Sequence, residues 1–266
     1  MTIETAIAAR RLRWRPGGAD EGVRLVAEET AVALVHDGST TAVMMASPAD
    51  LEDLGVGFSL SEGLIERVEE IRDIELVQSA LGLEVRMWLT ADRSRRLAAR
   101  RRHLAGPTGC GLCGIESLEE AIRPIRPKAA DAFVVTGHAL LAAMAMLEDA
   151  QQIGRVTRAV HAAGLWRPDA PLIVREDVGR HNALDKLIGA TMREGRSTQG
   201  VLLLTSRVSV EMIQKAAVLG APVVCAVSAP TALAVRTAEA AGLTLVAVTR
   251  SDGFEVFAHP RRVDLD

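Results

Sequence analysis

The last hundred residues repeat one pattern that limits the possible folds: an apolar run, a polar turn and a helix of about a dozen residues. The apolar runs cover residues 171–174, 201–204, 222–227 and 243–248. They are nearly continuous in Val, Leu and Ala, which is typical of strands buried on both faces of a sheet. Strands that alternate with helices form a parallel sheet covered by helices. The sequence therefore predicts an α/β domain.

Polar side chains fill the turns that follow these four runs. Right-handed crossovers place all strand-to-helix loops at the same edge of a sheet, so we expect these side chains to share one rim. They are Asp177, Arg180, His181, Asn182, Ser206, Arg207, Ser209, Ser228, Thr231 and Arg250. Helix N-termini, hydroxyls and arginines favour a ligand that bears phosphate. For residues 175–182, a helix-capping turn held by Asp177 and Asn182 is an equally open interpretation.

The rest of the chain predicts three further segments. Residues 1–22 read as a loose leader that ends at the Pro-Gly-Gly turn at 16–18. Residues 23–103 predict a small α+β domain, with a tight turn at 36–39 and a helix that starts with Ser47 as its cap and Pro48 in its first turn. Residues 104–127 form a linker, and 128–266 form the α/β domain, in which 139–153 predict a core helix.

The linker holds the sequence C-G-L-C-G, with Cys110 and Cys113 between glycines. Two cysteines at this spacing can share a metal, form a disulfide or pass a sulfur atom from one to the other. Glycines on both sides predict a pliable loop. An arginine-rich run at 93–102 precedes the loop, and its positive charge would favour a thiolate. A solvated helix face is the other interpretation of that run.

Three kinds of site remain open for the cysteine pair. A structural zinc site needs four ligands, and the sequence has no second cysteine pair. A thioredoxin-type redox pair opens a helix directly after a strand, whereas this pair follows arginines. A sulfur relay, with a persulfide on one thiolate, needs only a reactive thiol on a movable loop. Zinc deamination is excluded because no histidine is followed two residues later by glutamate. We expect no metal ligands.

Composition narrows the class of protein. The net charge of −3 argues against a nucleic-acid or membrane binder, since basic character is local. Three cysteines do not make an extracellular disulfide framework, and the N-terminus lacks a signal peptide's long apolar stretch. We expect a cytoplasmic protein without a membrane span. Cys225 lies inside an apolar run and predicts a buried, inert thiol. His161 and His181 read as packing or helix-start histidines, with proton transfer as the alternative.

Several longer segments together resemble the FdhD family, the sulfurtransferases that formate dehydrogenases need for activity. The segments are P-A-D-L-E-D-L-G-V-G-F-S-L-S-E-G-L-I (48–65), C-G-L-C-G (110–114), V-H-A-A-G-L (160–165), R-E-D-V-G-R-H-N-A-L-D-K-L-I-G (175–189), S-R-V-S-V-E-M-I-Q-K-A-A (206–217) and S-A-P-T-A-L-A-V (228–235). They extend over nearly the whole chain.

The resemblance implies a function and a set of site residues. Family members take sulfur from a cysteine desulfurase as a cysteine persulfide and deliver it to the bis(molybdopterin guanine dinucleotide) cofactor of formate dehydrogenase, on molybdenum or tungsten. Carried over, Cys110 would hold the persulfide and Cys113 would assist. The segment Phe254, Glu255, Val256, Phe257, Ala258 and His259 would bind the cofactor with Arg180, His181, Ser206, Arg207, Ser228, Thr231 and Arg250.

The resemblance also implies a homodimer whose larger domain is similar to the cytidine deaminase fold without zinc. Two other functions stay open. One is a non-catalytic chaperone that only carries the molybdenum cofactor. The other is a dithiol oxidoreductase that cycles a Cys110–Cys113 disulfide.

Overall fold

The computed structural model describes residues 3–104 and 133–266, and only the backbone within 100–104. Its strands are β1 (Ala6–Arg15), β2 (Gly18–Ala27), β3 (Thr30–His36), β4 (Ser39–Ala46), β5 (Ile71–Ser79), β6 (Gly82–Leu89), β7 (Val135–Thr136), β8 (His161–Arg167), β9 (Ala170–Asp177), β10 (Val201–Leu204), β11 (Val223–Ala226), β12 (Thr244–Arg250), β13 (Gly253–Ala258) and β14 (Val263–Asp264). Its helices are α1 (Leu51–Ser61), α2 (Ala91–Leu104), α3 (Gly137–Ala150), α4 (Ile153–Thr157), α5 (Arg180–Arg193), α6 (Val210–Leu219) and α7 (Ala232–Ala241), with 3₁₀ turns at Val68–Glu70 and Pro260–Arg262.

A six-stranded mixed sheet in the order β13-β12-β11-β10-β8-β9 forms the centre of the C-terminal part. Strands β10, β11 and β12 are parallel, while β8 is antiparallel to both β9 and β10. Strand β9 therefore points the same way as β10, β11 and β12. The four predicted strands are confirmed, and their C-terminal ends meet at one edge. The predicted parallel sheet is mixed because β8 and β13 each return antiparallel beside a neighbour.

Helices cover both faces of this sheet. Residues of α5, α6 and α7 pack on one face, where they form the largest apolar core with β10, β11 and β12. Helix α3 packs on the other face through Leu140, Ala143 and Leu147. All residues of β10 and β11 are buried, which explains their unbroken apolar sequences. None of the described helices is long and apolar enough to cross a membrane.

The N-terminal part contains a separate four-stranded sheet in the order β4-β3-β6-β5, covered on one face by α1. The predicted α+β arrangement of these strands is confirmed. The predicted helix start is wrong, because α1 begins at Leu51, after Asp50 in a left-handed conformation (φ 53°). Ser47 is not its cap. The backbone N–H of Ser47 donates to Asp177, and its Oγ accepts from the N–H of Val178.

Residues 1–22 are not a loose leader in the described part of the chain. Strands β1 and β2 pair over ten positions as an antiparallel hairpin around a turn at Pro16 and Gly17. The predicted end of the leader at Pro16-Gly17-Gly18 is wrong, because this turn is the tip of the hairpin. The physical signal is the alternation of small or apolar residues with arginines, which has the period of a strand. We name this hairpin the arm.

The arginine-rich run lies on α2, and the three arginines whose side chains the structure describes fall into two groups. Arg93 is buried and pairs with Glu70 at 2.8 Å and Glu66 at 2.6 Å; the hydrogen bond to Glu70, and next the one to Glu66, raise the pKa of Arg93 against the opposing effect of burial. Arg95 and Arg96 are exposed and pair with Asp92 on their own helix. The prediction of a solvated helix face holds for these two and fails for Arg93, which anchors α2 to the start of β5.

Helices α1 and α5 pack backbone against backbone, and glycines make this contact possible. A Cβ added to Gly57 would lie 1.7 Å from the carbonyl oxygen of Asp185. A Cβ added to Gly189 would lie 1.9 Å from the carbonyl oxygen of Asp53. Real atoms never approach so closely, so either side chain would push the helices apart. The N-terminal sheet is thus attached to the C-terminal sheet through a glycine-lined helix pair.

The close helix contact predicts that adding a methyl group at Gly57 destabilises the protein far more than adding one at a less crowded glycine. Gly57→Ala is expected to lower the free energy of unfolding by about 3 kcal/mol or more, because backbone has to move. The matched control is Gly22→Ala in β2, where a Cβ meets only the movable end of Arg11, at 3.2 Å. Urea unfolding measures both. Equal stability of Gly57→Ala and the parent would contradict the close helix contact.

Candidate functional site

The C-terminal ends of β9 to β12, with the loops that follow them, make up a surface that we name the strand-end edge. Backbone hydrogen bonds join its loops to one another. The N–H of Val208 donates to Ala229 and the N–H of Thr231 donates back to Val208, at 3.3 and 2.9 Å. The N–H of Val248 donates to Ser228 at 3.4 Å. The predicted gathering of these loops is confirmed.

A cleft of about 490 Å³ opens at this edge, between α3 and the ends of β10, β11 and β12. Its strand side is lined by Thr205, Val227, Thr249, Arg250 and Ser251. Its helix side is apolar at Leu141, Met144 and Leu147 and acidic at Glu148. The volume lies within the range of small-molecule sites, and the cleft combines an apolar wall with a few polar groups.

Two exposed arginines belong to the edge. The guanidinium of Arg250 donates from Nη1 to the carbonyl oxygens of Val227 and Thr249, which fixes its position at the cleft. Arg207 lies in the loop between β10 and α6. Arginine donors at the ends of strands suit a phosphate or another anion. The arginines predicted for the rim are thus where the sequence placed them.

The predicted hydroxyls are less available than the arginines. Ser206 is buried, and its Oγ donates to the carbonyl oxygen of Arg207 at 3.1 Å. The Oγ1 of Thr231 accepts from the N–H of Ala234 at 3.2 Å and so caps α7. Ser228 is half-buried, and its carbonyl oxygen accepts from Val248. The hydroxyls of Ser206 and Thr231 are therefore engaged by nearby backbone groups and are not set aside for a ligand.

Arg180 and His181 begin α5 and form a second, half-buried corner of the edge. Burial, and next the positive charge of Arg180, lower the pKa of His181 to about 4. The same two causes lower the pKa of His161, at the start of β8. The Nε atom of Arg180 is buried and has no hydrogen-bond partner among the described residues. At neutral pH this corner holds a fixed positive charge beside neutral imidazoles.

The segment 175–182 is a structural turn held by Asp177 and Asn182, but neither side chain caps α5, whose N-cap is Gly179 without a side-chain hydrogen bond. Asp177 is fully buried and accepts from the N–H groups of Ser47 and Gly179 and from Nδ2 of Asn182, at 2.8–3.0 Å. It also pairs with Lys186 at 2.6 Å. Asn182 donates to the carbonyl oxygen of Met45 as well. Asp177 and Asn182 therefore bind the N-terminal part and are not exposed at the rim.

Sequence reasoning missed a second buried polar group at the same joint. Nζ of Lys215 lies 2.7 and 2.8 Å from the two carboxylate oxygens of Asp185, and Ser61 Oγ donates to that carboxylate at 2.7 Å. Burial raises the pKa of Asp185, and Lys215 opposes this effect. Glu176 was also missed, and it accepts three backbone N–H groups from 152–154 at the start of α4. The available signal was a charged residue among buried apolar neighbours, in helices for Asp185 and Lys215 and in strand β9 for Glu176.

Residues 254–259 do not gather at the strand-end edge. Strand β13 is antiparallel to β12, with Gly253 opposite Arg250 and Ala258 opposite Leu245. Phe254 is therefore near the edge, while His259 lies at the opposite end, where its Nε2 is 2.9 Å from the carbonyl oxygen of Glu239. The remaining side chains divide between the two faces: Phe254 and Val256 pack under α3, Phe257 and Ala258 pack on the other face, and Glu255 is exposed.

Of the three cysteines, only Cys225 belongs to the part of the chain that the structure describes. Cys110 and Cys113 lie outside the described residues. Cys225 is buried in β11, and burial raises the pKa of its thiol to about 11, while Thr249 Oγ1 lies 3.4 Å away. Its predicted inertness fits this environment. Within 3–104 and 133–266, no cluster of His, Cys, Asp and Glu side chains could hold a metal ion.

Comparison with known proteins gives the family. The FdhD/NarQ family model matches residues 27–264 of the chain. The chain belongs to the FdhD/NarQ family. The family segment covers both sheets, the joint between α1 and α5, the strand-end edge and the cysteine pair, and it begins at the last residue of the arm.

Individual relatives agree with this assignment. The chain is 53% identical to the sulfur carrier protein FdhD of Agrobacterium fabrum, over 96% of this chain and 95% of that protein. It is 49% identical to the protein of the same name from Cupriavidus necator, over 94% and 88%. A solved structure from Desulfotalea psychrophila, assigned as a formate dehydrogenase accessory protein, superposes with a TM-score of 0.78 at 26% identity, covering 98% of this chain and 100% of that one.

For this member of the FdhD/NarQ family, His181 provides a direct test of the charged corner. Its ring is expected to titrate in NMR with a pKa of about 4, and Arg180→Gln should raise that value by removing positive charge. The folded pKa lies below the unfolded value, so the unfolded state binds more protons and stability should fall as the pH drops from about 6.5 to about 4. His181→Gln should remove that part of the slope. A pKa of His181 near 6.5 would contradict the lowering of its pKa by burial and by the charge of Arg180.

Proposed function

We propose that the chain is a sulfur carrier that sulfurates the bis(molybdopterin guanine dinucleotide) cofactor destined for formate dehydrogenase. The cofactor, on molybdenum or tungsten, is its substrate, and a cysteine desulfurase is its sulfur donor. The observation that carries the proposal is similarity over nearly the full length to proteins named sulfur carrier protein FdhD. The likeness to a formate dehydrogenase accessory protein supports the recipient.

Cys110 is assigned to accept the sulfur. Its thiolate would attack the outer sulfur of the desulfurase persulfide, forming a sulfur–sulfur bond on Cys110 and releasing the desulfurase thiolate. Delivery of that sulfur as sulfide requires two electrons. Cys113 supplies them when its thiolate attacks the inner sulfur, because hydrosulfide leaves and a Cys110–Cys113 disulfide forms. A cellular thiol then reduces the disulfide and restores the pair.

The strand-end edge is assigned to the nucleotide ends of the substrate. Its support is the cleft of about 490 Å³ with Arg250 at its strand side, the exposed Arg207, and the half-buried charge of Arg180. Each nucleotide end of the substrate carries a diphosphate and a guanine, which need positive charge and an apolar wall respectively. Ser228 and Phe254 lie where they could add to this site, whereas Phe257, Ala258 and His259 do not.

Further parts of the proposal follow from the family resemblance. They are a cytoplasmic location, a homodimer, and a C-terminal part similar to the cytidine deaminase fold without its zinc. The mixed sheet with helices on both faces is compatible with that likeness.

Replacement of one thiol separates sulfur transfer from simple cofactor carriage. After incubation with a desulfurase and cysteine, mass spectrometry of the intact protein is expected to show one added sulfur, which Cys110→Ala should abolish. The same variant should fail to activate a formate dehydrogenase while remaining folded. Cys225→Ala is the matched control, because the Cys225 thiol is buried and its pKa is raised. This variant should still gain one sulfur.

Three results would count against the proposal. Full activation by Cys110→Ala would overturn the assignment of that residue. No added sulfur on the parent protein, with activation intact, would indicate a chaperone that only carries the cofactor. A disulfide that cycles during turnover without any sulfur addition would indicate a dithiol oxidoreductase.

Loss of a single arginine tests the nucleotide assignment. Arg250→Gln is expected to weaken the binding of guanosine diphosphate about tenfold, as expected for a lost charge-assisted hydrogen bond. Arg95→Gln on α2 is the control, because Arg95 is exposed and pairs only with Asp92 in the described residues. Isothermal titration calorimetry measures both. Unchanged affinity in Arg250→Gln would place the nucleotide elsewhere.

A further inference from the structure

The arm has one apolar face that stays exposed. The register of β1 and β2 places Leu12, Trp14, Val23 and Leu25 on the same side of the hairpin. Leu12 is 70% exposed, Trp14 is 74% exposed and Val23 is 64% exposed. The other side holds most of the arginines and contacts α4, where Arg24 donates to the carbonyl oxygen of Thr157 at 3.2 Å. A two-stranded ribbon with a large apolar face is only marginally stable in water unless something covers it.

The four-stranded sheet has a second apolar face that stays exposed. Its inner face packs on α1, and its outer face carries Val43 and Met45 of β4 and Trp88 of β6. Val43 is 62% exposed. Ala31 and Ala33 of β3 lie opposite Met45 and Val43 in the register, so this face is flat and apolar along β3 and β4.

The arm as a whole and the outer face of the four-stranded sheet carry opposite charge; on the apolar face of the arm itself only Arg10 and Glu21 are charged, and the other four arginines lie on the far side of the ribbon. The arm carries five arginines against Asp20 and Glu21, which gives it a net charge of +3 in a chain whose total is −3. The outer face of the four-stranded sheet carries Asp73, Glu75 and Glu84 against Arg86, a net charge of −2. Attraction between the arm and this face therefore adds to apolar burial.

The area of each face indicates how they would be used. A ten-residue ribbon of two strands presents a face of about 350 Å². A stable interface needs about 800 Å² from each partner. The arm alone is too small. An arm and an outer face on each of two copies together approach the required area, if each copy gives its arm to the other.

We infer that two copies of this chain pair by reciprocal arm exchange. The apolar face of one copy's arm covers the outer face of the other copy's four-stranded sheet, and a two-fold axis repeats the contact. The homodimer implied by the family resemblance does not specify a surface. The exposed apolar faces of the arm and of the four-stranded sheet specify that surface.

Point charges on either face test the inference by analytical ultracentrifugation. Trp14→Glu on the arm and Val43→Glu on the outer face are each expected to convert a dimer into a monomer. Both positions are exposed, so both variants should fold, which circular dichroism checks. Val218→Glu on α6 is the control, because Val218 is 40% exposed and lies away from both faces. It should remain a dimer.

Fluorescence adds a readout of burial at the interface. In the double variant Trp88→Phe, Trp166→Phe, Trp14 is the remaining tryptophan, and its emission should shift to shorter wavelength as concentration drives dimerisation. A parent protein that is monomeric at micromolar concentration would overturn the inference, as would a dimer that neither substitution weakens. A dimer broken by Trp14→Glu and not by Val43→Glu would also overturn it, because the arms would then pair with each other.

Discussion

The close contact between α1 and α5 is the constraint on which the rest of the structure depends. Gly57 and Gly189 bring the two backbones together, and no larger residue fits at either position. Buried ion pairs surround the contact: Lys186 with Asp177, and Lys215 with Asp185. Arg175 and Arg193 both reach Asp53 on α1 at 2.6–2.9 Å. Because buried charges tolerate little displacement, these pairs fix how the two sheets are oriented.

This joint also explains the division of polar residues in the C-terminal part. Asp177 is the last residue of β9, and Asn182 and Lys186 lie in α5, which follows it. All three are near the end of the sheet where the proposed ligand would bind, yet they hold Met45 and Ser47 of the N-terminal part. The ends of β10, β11 and β12 border the open cleft instead of the N-terminal part. Arg207 and Arg250 lie on that open portion. The joint between the two sheets and the proposed ligand site thus occupy neighbouring parts of one edge.

The sequence was a good guide where a pattern had a single physical cause. Unbroken apolar runs such as 201–204 predicted buried strands, and right-handed crossovers predicted the shared edge. It failed where the partner is distant in the chain. Ser47 looked like a helix cap because its contacts to Asp177 and Val178 are long-range. His259 was expected in the cofactor site from the family resemblance of residues 254–259. The antiparallel return of β13, which cannot be deduced from those residues alone, places it at the opposite end of the sheet from the strand-end edge. The arm was not predicted because a Pro-Gly-Gly turn is as typical of the end of a loose segment as of the tip of a hairpin.

Unfolding followed at two tryptophans gives the most direct test of the joint. Trp88 lies in β6 of the N-terminal sheet and Trp166 lies in β8 of the C-terminal sheet. Two double variants would be unfolded in urea. Trp14→Phe with Trp166→Phe keeps Trp88, and Trp14→Phe with Trp88→Phe keeps Trp166. If the glycine contact and its ion pairs join the sheets into one cooperative structure, both probes should report the same midpoint and the same slope. Two separate transitions would contradict the account.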